Sequence, residues 1–274
     1  MSRFEAVGTT ASGAALRGVG TGVGARAGAT AVSPPTTTLA HVTEHGSPTT
    51  RPAGLFVSFE GGDGAGKSTQ AHLLGDWLRG LGREVVLTRE PGGTELGQLL
   101  RDAVLHGDHV DARTEALLYA TDRAHHVASL VRPALERGAV VVTDRYLDSS
   151  VAYQGSGRDL GADEVERLSL WAVDGLLPAL TVLLDLDPVE GRSRLTGDPD
   201  RLERAGDEFH RRTREAFLGR ADAEPGRWLV LDATRPKAEL AQAIRERVAG
   251  LVGDLTVARA PAVGGPTTAG AGVA

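Results

Sequence analysis

Short apolar runs alternate with longer segments of helical periodicity through the middle of the chain. Five of these runs predict strands, over residues 55–60, 84–88, 139–143, 180–186 and 227–231. Between them, apolar residues recur every three or four positions, which is typical of helices that bury one face. Strands that alternate with helices favour right-handed crossovers in one sheet. The pattern therefore predicts an α/β fold with a doubly wound, five-stranded parallel sheet as the middle of three layers.

The segments between the strands carry signals for helix ends. A helix is predicted after the first strand, ending near Leu81, and Thr94 is placed to cap a second helix. A longer helix is predicted over residues 113–136, before Gly138, and a closing helix over residues 236–251. Ligands of such a sheet bind beyond the carboxyl ends of its strands, so residues that follow the strands are the first candidates for a site.

The two ends of the chain lack this alternation. Residues 1–50 and 254–274 are rich in Gly, Ala, Thr and Val, with few charges and no sustained period. Such segments bury too little apolar surface to offset their ordering entropy, so both are predicted as disordered tails of one domain over residues 51–253. For the first 50 residues, the alternatives are a reading frame assigned too long and a transit peptide, against which the missing amphipathic pattern argues.

A glycine-rich loop follows the first predicted strand. Residues 61–68 read Gly-Gly-Asp-Gly-Ala-Gly-Lys-Ser and match the G-x-x-x-x-G-K-[ST] phosphate loop, between a strand and a helix. Its backbone N–H groups can bind phosphate oxygens, Lys67 can reach the β- and γ-phosphates, and the Ser68 hydroxyl can bind Mg²⁺. Lys67 and Lys237 are the only lysines in the sequence, so composition does not explain Lys67. The alternative is a chance glycine-rich turn.

Composition and charge restrict the function further. The formal net charge of −6 gives no general basic field that would attract nucleic acid. No apolar run reaches the roughly 18 residues that a membrane-spanning helix needs. The absence of cysteine excludes a disulfide framework, a thiolate metal site and a cysteine nucleophile, and it fits a cytoplasmic location. Any recognition of phosphate must therefore be local.

An acid and a base follow the third predicted strand. Asp144 and Arg145 come directly after the run Val140-Val141-Val142-Thr143. An aspartate at this edge, beside the phosphate loop, can hold the hydration shell of nucleotide-bound Mg²⁺, and Arg145 can clamp a phosphoryl group. The alternative is a surface ion pair of little consequence.

Two further clusters gain meaning only in combination. Residues 88–94 contain a Pro-Gly-Gly turn that would hold Arg89 at the edge of the sheet. The alternative is a solvated turn without a function. Tyr119 and Arg123 lie four residues apart on one helix face, where the ring can stack on a nucleobase while the guanidinium reads its edge. From these two residues alone, a core aromatic beside a solvated arginine is the alternative.

Together, four motifs resemble those of the bacterial thymidylate kinases. They are residues 59–69, 88–94, 119–123 and 144–155, in family order within about residues 53–252. The resemblance implies a P-loop kinase fold with a helical lid, which transfers a phosphoryl group from ATP to dTMP, forming dTDP, with Mg²⁺ as cofactor. The rivals are a kinase for another nucleotide or deoxynucleoside and a GTP-binding switch, whose Asn-Lys-x-Asp motif is missing.

The resemblance also assigns site residues. The triphosphate would be bound by Gly61, Gly62, Asp63, Gly64, Ala65, Gly66, Lys67, Ser68 and Thr69. Mg²⁺ would be held by Ser68 and Asp144, the latter directly or through water. The dTMP would be bound by Asp63, Arg89, Arg101, Tyr119, Arg123, Arg145, Ser149, Ser150, Tyr153 and Gln154. In this set the three arginines 89, 101 and 145 surround the phosphate, Asp63 contacts the 3′-hydroxyl and Tyr119 stacks on thymine.

The lid is expected in residues 191–204, which are rich in arginine and interrupted by Gly and Pro. Because Gly64 stands where eukaryotic-type thymidylate kinases have an arginine, the resemblance implies that the lid supplies the catalytic arginine. Thr196 stands where many bacterial relatives have a third arginine, so three candidates stay open. The expected catalytic set is Lys67, Asp63, Asp144, Arg145, Arg192, Arg194 and Arg201.

The resemblance finally implies a homodimer formed by helix packing. An apolar helix around Val165, Leu168, Leu170 and Trp171 is the candidate interface, with core packing as the alternative. The expected partners are then the small molecules dTMP and ATP and a second copy of the chain, with neither nucleic acid nor a membrane among them.

Overall fold

A computed structural model describes residues 54–196 and 198–258, with side chains as far as residue 252. All five predicted strands are present in one parallel sheet with the spatial order β2-β3-β1-β4-β5. They are β1 Leu55–Glu60, β2 Val85–Arg89, β3 Val140–Asp144, β4 Leu180–Asp185 and β5 Trp228–Asp232. The predicted doubly wound sheet is confirmed, with strand ends shifted by about one residue. The two predicted tails lie almost entirely outside the described residues.

Nine helices cover the sheet in the described part of the chain. They are α1 Lys67–Gly80, α2 Glu95–Leu105, α3 Ala112–His126, α4 Arg132–Glu136, α5 Leu147–Ser150, α6 Ala162–Ala172, α7 Pro188–Ser193, α8 Asp207–Ala223 and α9 Lys237–Ala258. The closing helix α9 continues past its predicted end at residue 251. None of the helices in the described residues is long and apolar enough to cross a membrane.

The central strand β1 is buried along its whole length and separates two cores. Val57 and Phe59 pack with α1 and α9 on one face of the sheet, while Phe56 packs with the helices of the other face. This division follows from the alternation of side chains along a strand. Because both faces are covered, the strand is apolar from Leu55 to Phe59 except at Ser58, as the sequence pattern predicts.

Two helical segments are wound as π-helix, which the sequence analysis did not predict. Residues Val127–Val131 join α3 to α4, so the predicted helix over residues 113–136 is continuous but locally underwound. Pro133 explains this turn, because it has no N–H and its ring crowds the carbonyl group four residues earlier. The second segment, Val151–Gly157, continues α5 and carries Tyr153 and Gln154. Both candidate side chains therefore project from an irregular helix.

Parallel pairing brings the carboxyl ends of three strands to one edge of the sheet. Phe59 of β1 and Arg89 of β2 both pair with Asp144 of β3. The phosphate loop follows β1, so the loop, the Pro-Gly-Gly turn and the Asp144-Arg145 motif meet at this edge. The sheet thus places three of the four sequence motifs side by side.

Candidate active site

The phosphate loop connects Glu60 of β1 to Lys67 of α1. Gly61, Gly64 and Gly66 have φ angles of 130°, 76° and 90°, which a residue with a side chain rarely adopts. A Cβ atom on Gly64 would also collide with the carbonyl oxygen of Gly191 in α7. The loop therefore has the left-handed conformation that a phosphate cradle requires, and its backbone touches the beginning of the predicted lid.

Lys67 is buried at the start of α1, and its Nζ donates to the Gly62 carbonyl at 2.7 Å. Burial and the nearby Arg145 charge lower the pKa of Lys67, against the opposing effect of the Asp63 and Asp144 carboxylates. The side chain therefore lies folded back within its own loop, beside the space that the loop encloses.

Ser68 and Asp144 lie next to each other, as the sequence predicts for a Mg²⁺ site. The Ser68 hydroxyl donates a hydrogen bond to Asp144 Oδ2 at the end of β3. A hydroxyl and a carboxylate are hard oxygen ligands, and Mg²⁺ usually takes only one or two protein oxygens beside phosphate and water. No cluster of three metal-ligating carboxylates or histidines occurs among the described residues. This sparse oxygen pair fits a metal ion whose other ligands come from a bound nucleotide.

Arg145 holds the centre of the site together and has a left-handed φ of 72°. Its guanidinium donates to the Gly61 carbonyl at 3.0 Å and to Asp63 Oδ1 at 2.5 Å, and it stacks over the Tyr153 ring at 5.0 Å. Burial opposes ionisation of Asp63, but the charges of Arg145 and Lys67 outweigh it and lower the pKa of this carboxyl group. Asp63 is therefore ionised and fixed between the loop and Arg145.

Glu60 lies directly beneath this group, and the sequence analysis did not select it. It is completely buried at the end of β1 and accepts hydrogen bonds from the Tyr146 N–H at 2.8 Å and the Ser149 hydroxyl at 2.5 Å. Burial and the neighbouring Asp148 charge raise the pKa of Glu60 to about 8. Its position, directly before the phosphate loop at the end of a buried strand, was the signal available in the sequence.

A second pocket adjoins the phosphate-loop pocket. Its lining includes nine of the ten predicted acceptor-site residues: Asp63, Arg101, Tyr119, Arg123, Arg145, Ser149, Ser150, Tyr153 and Gln154. Asp63, Arg101 and Arg145 belong to both pockets, so the two spaces meet at these side chains. Arg89, the tenth, lines the phosphate-loop pocket and not the second pocket; it is exposed and makes no side-chain hydrogen bond to any described residue.

Arg123 is buried at the end of the second pocket, on the same face of α3 as Tyr119. Its Nε donates to Glu90 at 2.7 Å, its Nη1 to Ser169 at 3.2 Å, and its Nη2 to the Tyr146 carbonyl and to Ser150. Four of its five N–H donors are thus engaged within the protein. One N–H on Nη1 is left for a ligand, which agrees with a role in donating to one hydrogen-bond acceptor on the base.

The three lid arginines lie outside the phosphate-loop pocket, although Arg192 lines a neighbouring pocket together with Gly61, Gly62 and Asp63 of the loop. Arg192 pairs with Asp207, Arg194 donates to the Ala233 carbonyl at 3.1 Å, and Arg201 pairs with Glu115 at 3.0 Å. Among the described residues that line the phosphate-loop pocket, none is one of these three arginines. Leu195 and Glu203 of the same segment do line it. The fold gathers the other predicted residues but leaves the choice among the arginines open.

Glu203 is a further residue that the sequence analysis passed over. It lines both the phosphate-loop pocket and the second pocket, and its carboxylate accepts from the Asp200 N–H at 2.9 Å. Because it stands among arginines in a charged connector, no local pattern distinguishes it from a solvated residue. Only the path of the chain after α7 brings it to the site.

The geometry is that of an enzyme that places a nucleoside triphosphate against a second, phosphorylated nucleotide. One pocket has a phosphate loop and a Mg²⁺-type oxygen pair, the other has an aromatic ring and hydrogen-bonding groups, and arginines line their junction. The fold and the site together define a P-loop nucleotide kinase.

Comparison with known proteins specifies the family. The family model described as "Thymidylate kinase" matches residues 59–244, which is more than half of the chain. Curated proteins named "Thymidylate kinase" include one from Leifsonia xyli, 63% identical over 210 residues, covering 75% of this chain and 99% of that protein. Another, from Clavibacter michiganensis, is 61% identical over 203 residues, covering 73% of this chain and 96% of that protein. The chain belongs to the thymidylate kinase family.

A solved structure agrees with this assignment. The crystal structure of thymidylate kinase from Ehrlichia chaffeensis has a TM-score of 0.60 and 30% sequence identity to this chain. The match covers 72% of this chain and 99% of that one. The predicted resemblance and the predicted P-loop kinase fold are thereby confirmed.

Proposed function

We propose that the phosphate-loop pocket binds ATP and that the adjoining pocket binds dTMP, so that the phosphoryl group moves across the junction at Asp63 and Arg145. The protein is an ATP-dependent dTMP kinase that forms dTDP. The observation that supports this division of the site is that the two pockets share these residues. Transfer of a phosphoryl group needs alignment and neutralised charge rather than a strong base, because the acceptor phosphate is already anionic.

On the donor side, the backbone N–H groups of residues 61–69 would bind the β- and γ-phosphates. Lys67, now bonded to the Gly62 carbonyl, would exchange that partner for phosphate oxygens. Ser68 and Asp144 would hold Mg²⁺, which neutralises phosphate charge when it is bound. The metal ion is our proposal, and its support is the hard oxygen pair described above.

On the acceptor side, Arg89, Arg101 and Arg145 would surround the phosphate of dTMP. Arg145 is held rigid by its bonds to Gly61 and Asp63, while the exposed side chain of Arg89 is free to move onto the ligand. Asp63 would accept from the sugar 3′-hydroxyl. Tyr119, Arg123, Ser149, Ser150, Tyr153 and Gln154 would enclose the sugar and base.

The lid would supply the remaining positive charge. Arg192 and Arg194 make partly exposed ion pairs with Asp207 and Glu190, which contribute little stability and break easily. Arg201 is held in a largely buried ion pair with Glu115. We therefore propose that Arg192 or Arg194, rather than Arg201, reaches the transferring phosphoryl group after the lid moves.

A panel of acceptor nucleotides tests the function directly. Purified protein with labelled ATP and Mg²⁺ is expected to phosphorylate dTMP at a much higher kcat/KM than dCMP, dAMP, dGMP or thymidine. Preference for another acceptor would contradict the proposed substrate while leaving the kinase class intact. Hydrolysis of GTP with no transfer to any acceptor would instead support the rival class of GTP-binding switch.

We also propose a homodimer and a cytoplasmic location. For the homodimer, the support is that Trp171 of α6 is 83% exposed and Leu117 of the neighbouring α3 is 55% exposed. Val165, by contrast, is buried and belongs to the core. For the location, the support is the absence of cysteine from the sequence, which fits a reducing compartment, and cell fractionation tests it.

A further inference from the structure

Glu115 is a buried carboxylate that belongs to none of the four sequence motifs. It lies beside the second pocket, which is the proposed dTMP pocket and is called the acceptor pocket below. It lies in the first turns of α3, is 1% exposed, and is one helical turn before Tyr119 on the same face. Its partners come from two separate parts of the chain. Gln154 lies within the π-helical segment and Arg158 directly follows it, whereas Arg201 belongs to the lid.

The first contact fixes the orientation of the Gln154 amide. Gln154 Nε2 donates to Glu115 Oε1 at 2.9 Å. An ionised carboxylate only accepts hydrogen bonds, so the amide NH₂ must face Glu115 and the amide oxygen must face elsewhere. Gln154 lines the acceptor pocket, and its Oε1 accepts no hydrogen bond from any described residue. The side chain therefore offers the pocket an acceptor and not a donor.

That polarity distinguishes pyrimidine bases. Thymine and uracil carry a hydrogen on N3 and can donate to Gln154 Oε1, whereas N3 of cytosine is an acceptor and would oppose it. A site built for one polarity rejects the other because buried polar groups are then left unpaired. Were the Gln154 amide free to turn over, this preference would be lost.

The second contact anchors the lid. The Arg201 guanidinium lies 3.0 Å from Glu115 Oε2, and its Nε donates to the Val104 carbonyl of α2 at 2.8 Å. The side chain is 14% exposed, and the backbone N–H of Arg201 also donates to Leu105. The adjacent residues Leu202 and Glu203 line the acceptor pocket. Arg201 thus fastens the end of the lid against α2 and α3.

We propose that Glu115 is a positioning residue with two tasks, orienting the Gln154 amide that reads the base and fastening the lid through Arg201. Recognition of the thymine edge and closure over the acceptor then depend on one carboxylate. This inference rests on the proposed function, because it assumes that the pocket holds the base of dTMP.

The variant Glu115→Gln tests both tasks with an isosteric side chain. Its amide can donate as well as accept, so Gln154 is no longer held in one orientation, and Arg201 loses its countercharge. We expect the ratio of kcat/KM for dTMP over dCMP to fall by about tenfold or more. The ratio for dTMP over dUMP should stay unchanged, because uracil has the same N3–H. Tryptic cleavage after Arg204, mapped by mass spectrometry, should become faster.

Two matched variants separate the tasks. Arg201→Gln leaves the bond between Glu115 and Gln154 intact, so we expect faster cleavage after Arg204 with an unchanged dTMP-to-dCMP ratio. Arg158→Gln removes the other cation that contacts Glu115, from the solvent side, and we expect it to change neither measurement. Loss of the dTMP-to-dCMP ratio in Arg201→Gln as large as in Glu115→Gln would overturn the proposed division of tasks.

The swap Glu115→Gln with Gln154→Glu keeps one carboxylate and one amide in the cluster, and it provides the test if the single variant unfolds. The carboxylate introduced at position 154 would again offer only acceptors to the base, so we expect the dTMP-to-dCMP ratio to recover. A swap that leaves the ratio low, or a folded Glu115→Gln with both measurements unchanged, would overturn the role of Glu115. Wild-type protein that fails to phosphorylate dTMP would refute the proposed function instead.

Discussion

Lys67 is one of two lysines in the chain, and its ammonium group lies in the phosphate loop within 2.7 Å of the Gly62 carbonyl. The other, Lys237, is exposed at the start of α9, away from the described pockets. One of the two lysines therefore lies in the site and the other lies outside it. This pair offers a matched comparison at the scale of single residues.

Lys67→Ala should abolish phosphoryl transfer without unfolding the protein. Removing a cation that stabilises the transferring phosphate should lower kcat by at least about a hundredfold. The measurement is steady-state turnover, with circular dichroism to verify folding, and Lys237→Ala is the control that should behave as wild type. Substantial residual turnover in folded Lys67→Ala protein would refute the assigned role.

Glu60 provides a prediction about pH. Its pKa is raised from 4.5 to about 8 in the folded protein, so between these values the unfolded chain loses this proton while the folded chain keeps it. Glu60 therefore makes the free energy of unfolding fall as pH rises through that window. Glu60→Gln cannot ionise, so we expect its stability relative to wild type to improve steadily from about pH 5 to about pH 8.

Thermal unfolding of both proteins across this pH range checks the prediction. Glu84→Gln, which removes a partly exposed carboxylate elsewhere in the protein, provides the control for the loss of one carboxylate. A constant difference between Glu60→Gln and wild type at every pH would contradict a raised pKa at Glu60.

At the scale of elements, the phosphate loop and α7 are in direct backbone contact. Gly64 has a φ of 76°, and a Cβ there would collide with the Gly191 carbonyl oxygen. A side chain at this position would therefore strain the loop and push away the helix that begins the lid. The eukaryotic-type thymidylate kinases have an arginine at the position of Gly64. In this chain the contact with Gly191 leaves no room for such a side chain.

Gly64→Ala should destabilise the protein by about 1–3 kcal/mol and lower kcat, because the loop is strained and the lid is displaced. Gly62→Ala is the control in the same loop, since its φ is not left-handed and no atom lies within 4 Å of a Cβ placed there. Chemical denaturation and turnover are the measurements. Equal effects of the two substitutions would show that contact with Gly191 is unimportant.

At the scale of the whole molecule, the exposed indole of Trp171 on α6 is the strongest feature for self-association. Large exposed aromatic side chains are favoured in protein interfaces because they bury much apolar area on association. The neighbouring Leu117 extends this surface onto α3.

Trp171→Glu should convert the proposed homodimer to a monomer, because it places a charge at the centre of the apolar surface. Light scattering measures the mass directly, and Leu81→Glu, which alters an exposed apolar residue at the end of α1, is the control. A light-scattering mass that shows wild-type protein to be a stable monomer would refute the proposed homodimer.

Much of the site was predictable because several key residues follow buried strands. Asp144 and Arg145 come directly after three valines and Thr143. Because the carboxyl ends of parallel strands share one edge, their meeting with the phosphate loop follows from the pattern. The left-handed glycines are likewise required by the local backbone. Glu115 and Glu203 have no such local requirement, and the sequence analysis missed both.

The sequence by itself determined the alternation of strands and helices, the phosphate loop and the motifs of the thymidylate kinase family. These features depend on burial and on backbone conformation within a few residues, which the order of amino acids specifies directly. The tertiary structure alone decided the spatial strand order, the burial of Glu60 and the pairing of Arg201 with Glu115. Many arginines and carboxylates in this chain could pair, and only the topology determines which of them are brought into contact as ion pairs.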